Sequence, residues 1–153
     1  MNIHRDPVIG NYFNEALMHA FHGKDPARFL ADFYTSFTAD LLADEGDAAP
    51  IVDRYHTPDV VQYADGVRID RDRLIAHAQP VRRNRPEVRV EVHEAVAVED
   101  RLAARYTMHA QMAEERISNE VYFFGTFAPD GRLRTAHMRT RTLSPDEAGE
   151  AGG

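Results

Sequence analysis

The hydrophobic period of this chain changes once, from helical to two-residue. Apolar residues at 8, 9, 12, 13, 16, 17, 20 and 21 make a helical stripe over 7–22, with Asp6 as cap, Pro7 in the first turn and Gly23 as the stop. Asp25-Pro26 repeats the device for a second helix whose stripe is Phe29, Leu30, Phe33, Tyr34, Phe37, Leu41 and Leu42. Asp47 caps a shorter helix carrying Ile51, Val52 and Tyr55, and Thr57-Pro58 stops it, because a residue before proline avoids helical backbone. A short strand over 60–63, turned by Asp65-Gly66, leads to a helix capped by Asp70 and carrying Leu74, Ile75, His77, Ala78 and Val81, which Pro80 kinks or ends. From Val88 the valines fall at 88, 90, 92, 96 and 98, the period of a strand with one buried face. Three more runs follow, over 102–112, 117–128 and up to 143, separated by Glu99-Asp100, Glu114-Glu115 and Asp130-Gly131. Runs this close leave no room for crossover helices, so they form an antiparallel meander.

If each turn holds two residues, the strands pair in a definite register, and residues opposite one another share a face. One face then carries Val88, Val90, Val92, Arg105, Thr107, His109, Glu120, Tyr122, Phe124, His137, Arg139 and Arg141. Across it run the rows His109–Glu120–Arg141, Thr107–Tyr122–Arg139 and Arg105–Phe124–His137. The other face carries Ala104, Tyr106, Met108, Ala110, Val121, Phe123, Ala136 and Met138. Helices first and a long meander afterwards make an α+β fold. The expected form is a cone-shaped curved antiparallel sheet with the N-terminal helices packed into its concave face, the titratable face lining the resulting cavity. The Met- and aromatic-rich face would then be convex and, being a large apolar patch, would be covered by a second copy of the chain.

Composition narrows the function classes. The chain has 153 residues, enough for one domain with a real core. It has no cysteine, which removes disulfides and thiolate nucleophiles, and its formal net charge of −7 speaks against a nucleic-acid partner. No stretch reads as a signal peptide or a membrane span, so a cytoplasmic location is expected. A single lysine among many arginines and alanines suggests a GC-rich bacterial gene. Histidine spacing offers no metal pattern, and His93 falls on the face opposite His109 and His137, so neither a metal nor another cofactor is expected.

Three segments, RYHTPDVVQYADGVRIDRDRLIAH, VEVHEAVAVEDRLAARYTMHA and FFGTFAPDGRLRTAHMRTRTL, resemble the nuclear transport factor 2-like superfamily and its SnoaL-like bacterial branch. The resemblance covers residues 26–143, leaving 1–25 as an extra N-terminal helix and 144–153 as a polar, disordered tail. It implies a cystatin-like α+β barrel and a range of activities: polyketide cyclases, ketosteroid isomerase-like enzymes, epoxide hydrolases, dehydratases and binding domains. Epoxide hydrolases of this fold resemble one another in an Arg-x-Asp on the central strand. Here the position reads Arg105-Tyr106-Thr107, without the carboxylate that activates water.

The residues themselves suggest acid/base chemistry. A carboxylate beside an imidazole fixes its tautomer and raises its basicity, so Glu120 opposite His109 is the expected catalytic pair, with Tyr122 and Arg139 bonding an oxygen where negative charge develops. Tyr34, Tyr55, Tyr63, Arg105, Thr107, Phe124 and His137 are the expected substrate contacts. The expected function is a cofactor-independent enzyme, a cyclase or isomerase of secondary metabolism, acting on a small hydrophobic oxygenated metabolite. The alternative is a non-catalytic binding or scaffolding domain of the same fold.

Overall fold

The computed structural model describes Phe21 and residues 23–151. Their order is α1 (Pro26–Ala43), α2 (Ala49–Tyr55), β1 (His56–Ala64), β2 (Val67–Asp70), α3 (Arg71–Asn84), β3 (Glu87–Val98), β4 (Arg101–Gln111), β5 (Arg116–Phe127), β6 (Leu133–Thr142) and α4 (Pro145–Ala151). Apart from Phe21, the expected helix over 7–22 lies outside the described residues. The caps expected for the next helices form: the Asp25 carboxylate accepts from the Arg28 N–H at 3.1 Å, and Asp70 from that of Arg73 at 3.1 Å. α3 runs through Pro80 to Asn84. Arg82 then reaches back to accept the role of a cap for α1, donating to the Leu41 carbonyl at 2.9 Å and the Gly46 carbonyl at 2.6 Å. Where a disordered tail was expected from Ser144, a short helix starts, its first turn closed by reciprocal bonds between Ser144 and Glu147.

The six strands lie in the order β2-β1-β6-β5-β4-β3 in one curved, unclosed sheet. Every neighbouring pair is antiparallel except β1–β6, because the chain crosses over through α3 and the meander before returning beside β1. The N-terminal helices fill the concave side. Phe29, Leu30 and Phe33 of α1 pack on Leu102, Ala104, Tyr106, Val121, Phe123 and Phe127, and Phe21 meets Phe29 and Phe127 edge-on with centroids 5.0 and 5.8 Å away. Each such side chain contributes roughly 1.5–3 kcal/mol through burial.

The two faces are therefore reversed from the expectation. The Met- and aromatic-rich face lies against the helices, and the titratable face is the convex one, so the dimer face expected at Tyr106, Met108, Val121, Phe123 and Met138 is occupied by α1 instead. The physical reason is that large apolar side chains gain most from burial, whereas arginine and glutamate lose hydration.

Two irregularities decide the register. Between Val92 and Glu94 the pairing of β3 with β4 slips by one residue, a bulge that leaves His93 as the extra residue. Val88, Val90 and Val92 consequently join Tyr106 and Met108 on the concave side, while Val96 and Val98 beyond the bulge are 66% and 71% exposed. At the other end, Ala128 and Arg132 close a longer hairpin loop than the two residues expected, and a second bulge between Thr126 and Phe127 restores the expected pairing of β5 with β6. The β4–β5 loop is also longer, Met112 bonding Glu115 across it, which moves β5 two residues along β4 without turning it over.

Candidate functional site

On the convex face that two-residue slip dissolves the expected rows. His109 stands opposite Ser118, with Nδ1 2.7 Å from the Ser118 hydroxyl, and does not meet Glu120. Glu120 stands between Thr107 and Arg141, and its carboxylate is held by Arg105 at 3.5 Å and Arg141 at 3.6 Å. Burial together with the Arg89 charge pushes the His109 imidazole below its ordinary range, and Glu91, itself paired with Arg89 at 3.2 Å, offsets this only in part. The imidazole is thus less basic than usual, the opposite of what an adjacent carboxylate would have produced. Thr107 is buried and bonded to Nε2 of His93 at 2.6 Å. The bulge puts His93 on the same face as His109, contrary to the expectation for a regular strand.

Five of the expected residues do meet. Tyr63, Tyr122, Phe124, His137 and Arg139 line a shallow convex groove of about 310 Å³, with Gly66 and Met138 completing it. The Tyr63 and His137 rings stack with centroids 5.1 Å apart and an 18° tilt. Tyr122 faces Arg105 and Arg139 across neighbouring strands, and Phe124 faces His137.

The other two expected contacts, Tyr34 and Tyr55, belong to the helix side. Tyr55 bonds Asp40, which also holds Arg54 at 3.0 Å, and burial with the Asp40 contact pushes its phenol up to about 12. Tyr34 projects from α1 onto the concave sheet, its ring 5.5 Å from that of Tyr106 and its hydroxyl 3.7 Å from the Met138 sulfur, to which it donates. Burial pushes the Tyr34 phenol up to about 12, contact with the Tyr106 hydroxyl holding part of the rise back, and burial drives Tyr106 well above its ordinary range. Both are consequently neutral hydrogen-bond donors in a poorly solvated place. Half-buried Val90, Val92 and Met108 lie beside them.

Along the concave side the sheet presents no charged side chain among the described residues. Its polar groups are neutral: Gln62 on β1, Tyr106 on β4, Asn119 on β5, and Thr140 and Thr142 on β6. Sequence reasoning placed Tyr106 and Met138 on an interface and passed over Gln62. A one-residue bulge changes the facing of every residue beyond it, and nothing in an alternating run marks where that bulge falls. His77 is exposed on α3. Among the described residues no cluster of three or more His, Asp or Glu is placed to hold a metal ion, and no helix is long and apolar enough to cross a membrane.

This architecture, a curved, unclosed sheet wrapped around N-terminal helices, is that of the cone-shaped α+β proteins of the nuclear transport factor 2-like superfamily. The model of the SnoaL-like domain matches residues 30–136, and the chain belongs to that family. It is similar to a loop-truncation variant of IdmH, with 16% identity and a TM-score of 0.55 over 76% of this chain and 92% of that one. An epoxide hydrolase of the LEH-like type from M. tuberculosis has 18% identity and a TM-score of 0.55 over 84% of each chain. A protein named as a SnoaL-like polyketide cyclase from Shewanella denitrificans has 11% identity and a TM-score of 0.53 over 78% of this chain and 93% of that one. Identities this low carry the fold alone. No curated protein matches the chain.

Proposed function

We propose that this chain binds a hydrophobic, oxygen-bearing small molecule against the concave face and acts on it without a cofactor, as a cyclase or isomerase. The observation that carries the reading is a pair of phenols, half-buried Tyr34 and buried Tyr106, set in contact beside the aliphatic Val90, Val92 and Met108. Two neutral donors in a poorly solvated site strengthen as negative charge grows on the oxygen they bond, which is how such a site favours an enolate over its ketone, the proton of the α-carbon passing to water. Proton transfer by His109 does not enter this reading, since that side chain lies on the far side of the sheet. A SnoaL-like fold shared with proteins named as cyclases and an epoxide hydrolase agrees with catalysis but does not select the reaction.

The specific observation that favours a non-catalytic binding domain is the neutrality of the concave sheet, which supplies donors but no carboxylate among the described residues, and whose imidazole at His56 is buried against Phe33 and Phe37 and bonded to the Val52 carbonyl. One experiment separates the two readings. β-Tetralone, a bicyclic ketone, is incubated with the protein in deuterium oxide, and exchange next to the carbonyl is followed by NMR. The enzyme reading expects accelerated exchange that drops about tenfold or more in Tyr34→Phe and Tyr106→Phe. Binding without acceleration selects the binding domain, and binding that neither substitution weakens removes the phenols from the site.

We also propose that the convex face, where Val96, Val98 and Phe124 stand exposed, is covered by a second copy of the chain.

A further inference from the structure

The exposed part of the convex face is laid out in rows that cross β3, β4, β5 and β6. One row reads Glu94, Arg105, Tyr122, Arg139, and the next reads Val96, Ala103, Phe124, His137. Val96, Tyr122 and Phe124 are exposed, and the Glu94 side chain is 72% exposed, whereas Thr107 and Ser118 further along the strands are buried. The charges of the first row are loosely held within the chain. Glu94 reaches Arg105 only at 3.6 Å. Arg139 is in no salt bridge among the described residues, and Asp65, whose charge it feels, bonds Thr140 instead.

Two copies packed face to face by a two-fold axis must have that axis in the plane between their sheets, running either across the strands or along them. An axis across the strands turns each row onto itself or onto its neighbours. Laid on the first row it sets Arg139 against the partner's Arg139 and Glu94 against the partner's Glu94. Laid on the second row it sets Arg105 against the partner's Arg101, since Arg101 stands as far beyond Ala103 as Arg105 stands before it. Like charges opposed in this way weaken association. An axis along the strands, midway between β4 and β5, brings β3 over the partner's β6 and β4 over the partner's β5. Glu94 then faces the partner's Arg139, Arg105 faces the ring of the partner's Tyr122, and Phe124 faces the partner's Ala103, whose methyl leaves room for the ring. β3 and β6 lie one and a half strand spacings from this axis, about 7 Å, and the roughly 30° crossing of packed sheets shifts facing positions there by about 4 Å. Convex faces part with distance from the axis, and glutamate and arginine are long enough to span the widening gap.

We infer that the second copy is placed by a two-fold axis running along the strands between β4 and β5, so that Glu94 of each protomer pairs with the partner's Arg139. This rests on the convex-face reading above and deepens it, turning a patch that excludes water into a surface that selects its own copy. Glu94 keeps Arg105 meanwhile, because a carboxylate accepts from two guanidinium groups.

The test is a charge swap read by sedimentation at micromolar concentration, with circular dichroism confirming the fold of each variant. Glu94→Arg sets arginine against arginine at both ends of the interface, and Arg139→Glu sets glutamate against glutamate. Each alone is expected to weaken self-association about tenfold or more, and the loss should shrink in high salt. Mixing the two variants makes both contacts complementary again, and the mixture is expected to form heterodimers about as tight as the wild-type dimer. The double variant carrying both changes in one chain should likewise recover self-association. Single variants that dimerise as wild type does, or a mixture that stays monomeric, overturn the placement of the axis. If Phe124→Glu dissociates the dimer in that case, the convex interface stands without this axis. A wild-type chain that is monomeric removes the interface and the axis together.

Discussion

The ring of Phe123 lies across Gly125 on the concave side of β5, so close that a β-carbon at position 125 would stand 2.5 Å from its Cζ and 2.7 Å from its Cε1. Phe123 is fully buried and packs against Tyr34 and Phe127, with centroids 6.5 and 6.3 Å away, so the ring cannot swing aside without disturbing its neighbours. The missing side chain is what lets the aromatic floor lie flat beneath α1. Gly125→Ala is expected to cost about 1–3 kcal/mol, the usual penalty for overfilling a packed core. Thermal and denaturant melts check this, and a variant as stable as wild type would mean that the ring moves freely.

A buried histidine makes stability depend on pH. His56 starts β1 with its ring against Phe33 and Phe37, Nδ1 2.8 Å from the Val52 carbonyl. Burial opposes the charged form and lowers its imidazole from 6.5 to about 4, against smaller upward effects from that hydrogen bond and from Asp53. Above 6.5 both folded and unfolded chains hold it neutral. As pH falls from 6.5 toward 4 the unfolded chain binds a proton that the folded chain refuses, so the contribution is full above the unfolded value and is lost through the folded one. The loss amounts to about 3 kcal/mol. His56→Asn retains a donor for Val52 and removes the titration, so its melting temperature should fall less steeply with acidification than that of wild type. Parallel profiles for the two proteins would remove His56 as the cause.

How much of this was legible follows from the period of each element. Helical stripes with Asp-Pro starts specified α1 and its buried Phe29, Leu30 and Phe33, because a helix repeats regardless of what it packs against. The meander was legible as four runs. Its two sets of faces were nearly so: the grouping of His109, Glu120, Tyr122, Phe124, His137 and Arg139 survived, since the longer β4–β5 loop shifted β5 by an even step. What failed was the partner of each residue, His109 meeting Ser118, and the side on which the helices sit. Loop length is not written in Glu114-Glu115, and the bulges at His93 and beside Phe127 have no composition of their own. The facing of the whole sheet depends on which of two apolar sets is bulkier, and the three valines at 88, 90 and 92 and the four aromatic or Met side chains Tyr106, Met108, Phe123 and Met138 invited opposite answers.

The convex face yields a prediction about assembly. Phe124 is 63% exposed beside Val96, Val98 and the stacked Tyr63–His137 pair, while Arg105 and Arg141 around it are held by Glu94, Glu120 and Glu147. Salt-bridged arginines at the margin of an apolar patch need not shed their partners when the patch is covered. Sedimentation at micromolar concentration is expected to give a dimer, and Phe124→Glu a monomer with an unchanged fold by circular dichroism. A wild-type monomer under those conditions would remove the interface.

The bulge at His93 makes the sharpest demand on the fold. Val92 already pairs with Tyr106 and Glu94 with Arg105, so His93 is an insertion between two residues whose partners are consecutive on β4. Deleting His93 therefore leaves Val88, Val90 and Val92 on the concave side and Glu94 and Val96 on the convex side, with the strand merely straightened. The loss is the bond from His93 to buried Thr107, about 1–3 kcal/mol for a hydroxyl left unpaired. Deleting Val90 has no such escape. With the bulge kept, Val88 turns outward and Arg89 turns toward the core; with the bulge surrendered, Val92 turns outward and Glu91 and His93 turn in. Either arrangement buries charge or polarity without a partner, in addition to the lost valine. The expected outcome is that the His93 deletion folds and melts cooperatively at a modestly lower temperature, whereas the Val90 deletion is far less stable or fails to fold. Equal destabilisation of the two would show that the bulge does not set the facing of β3.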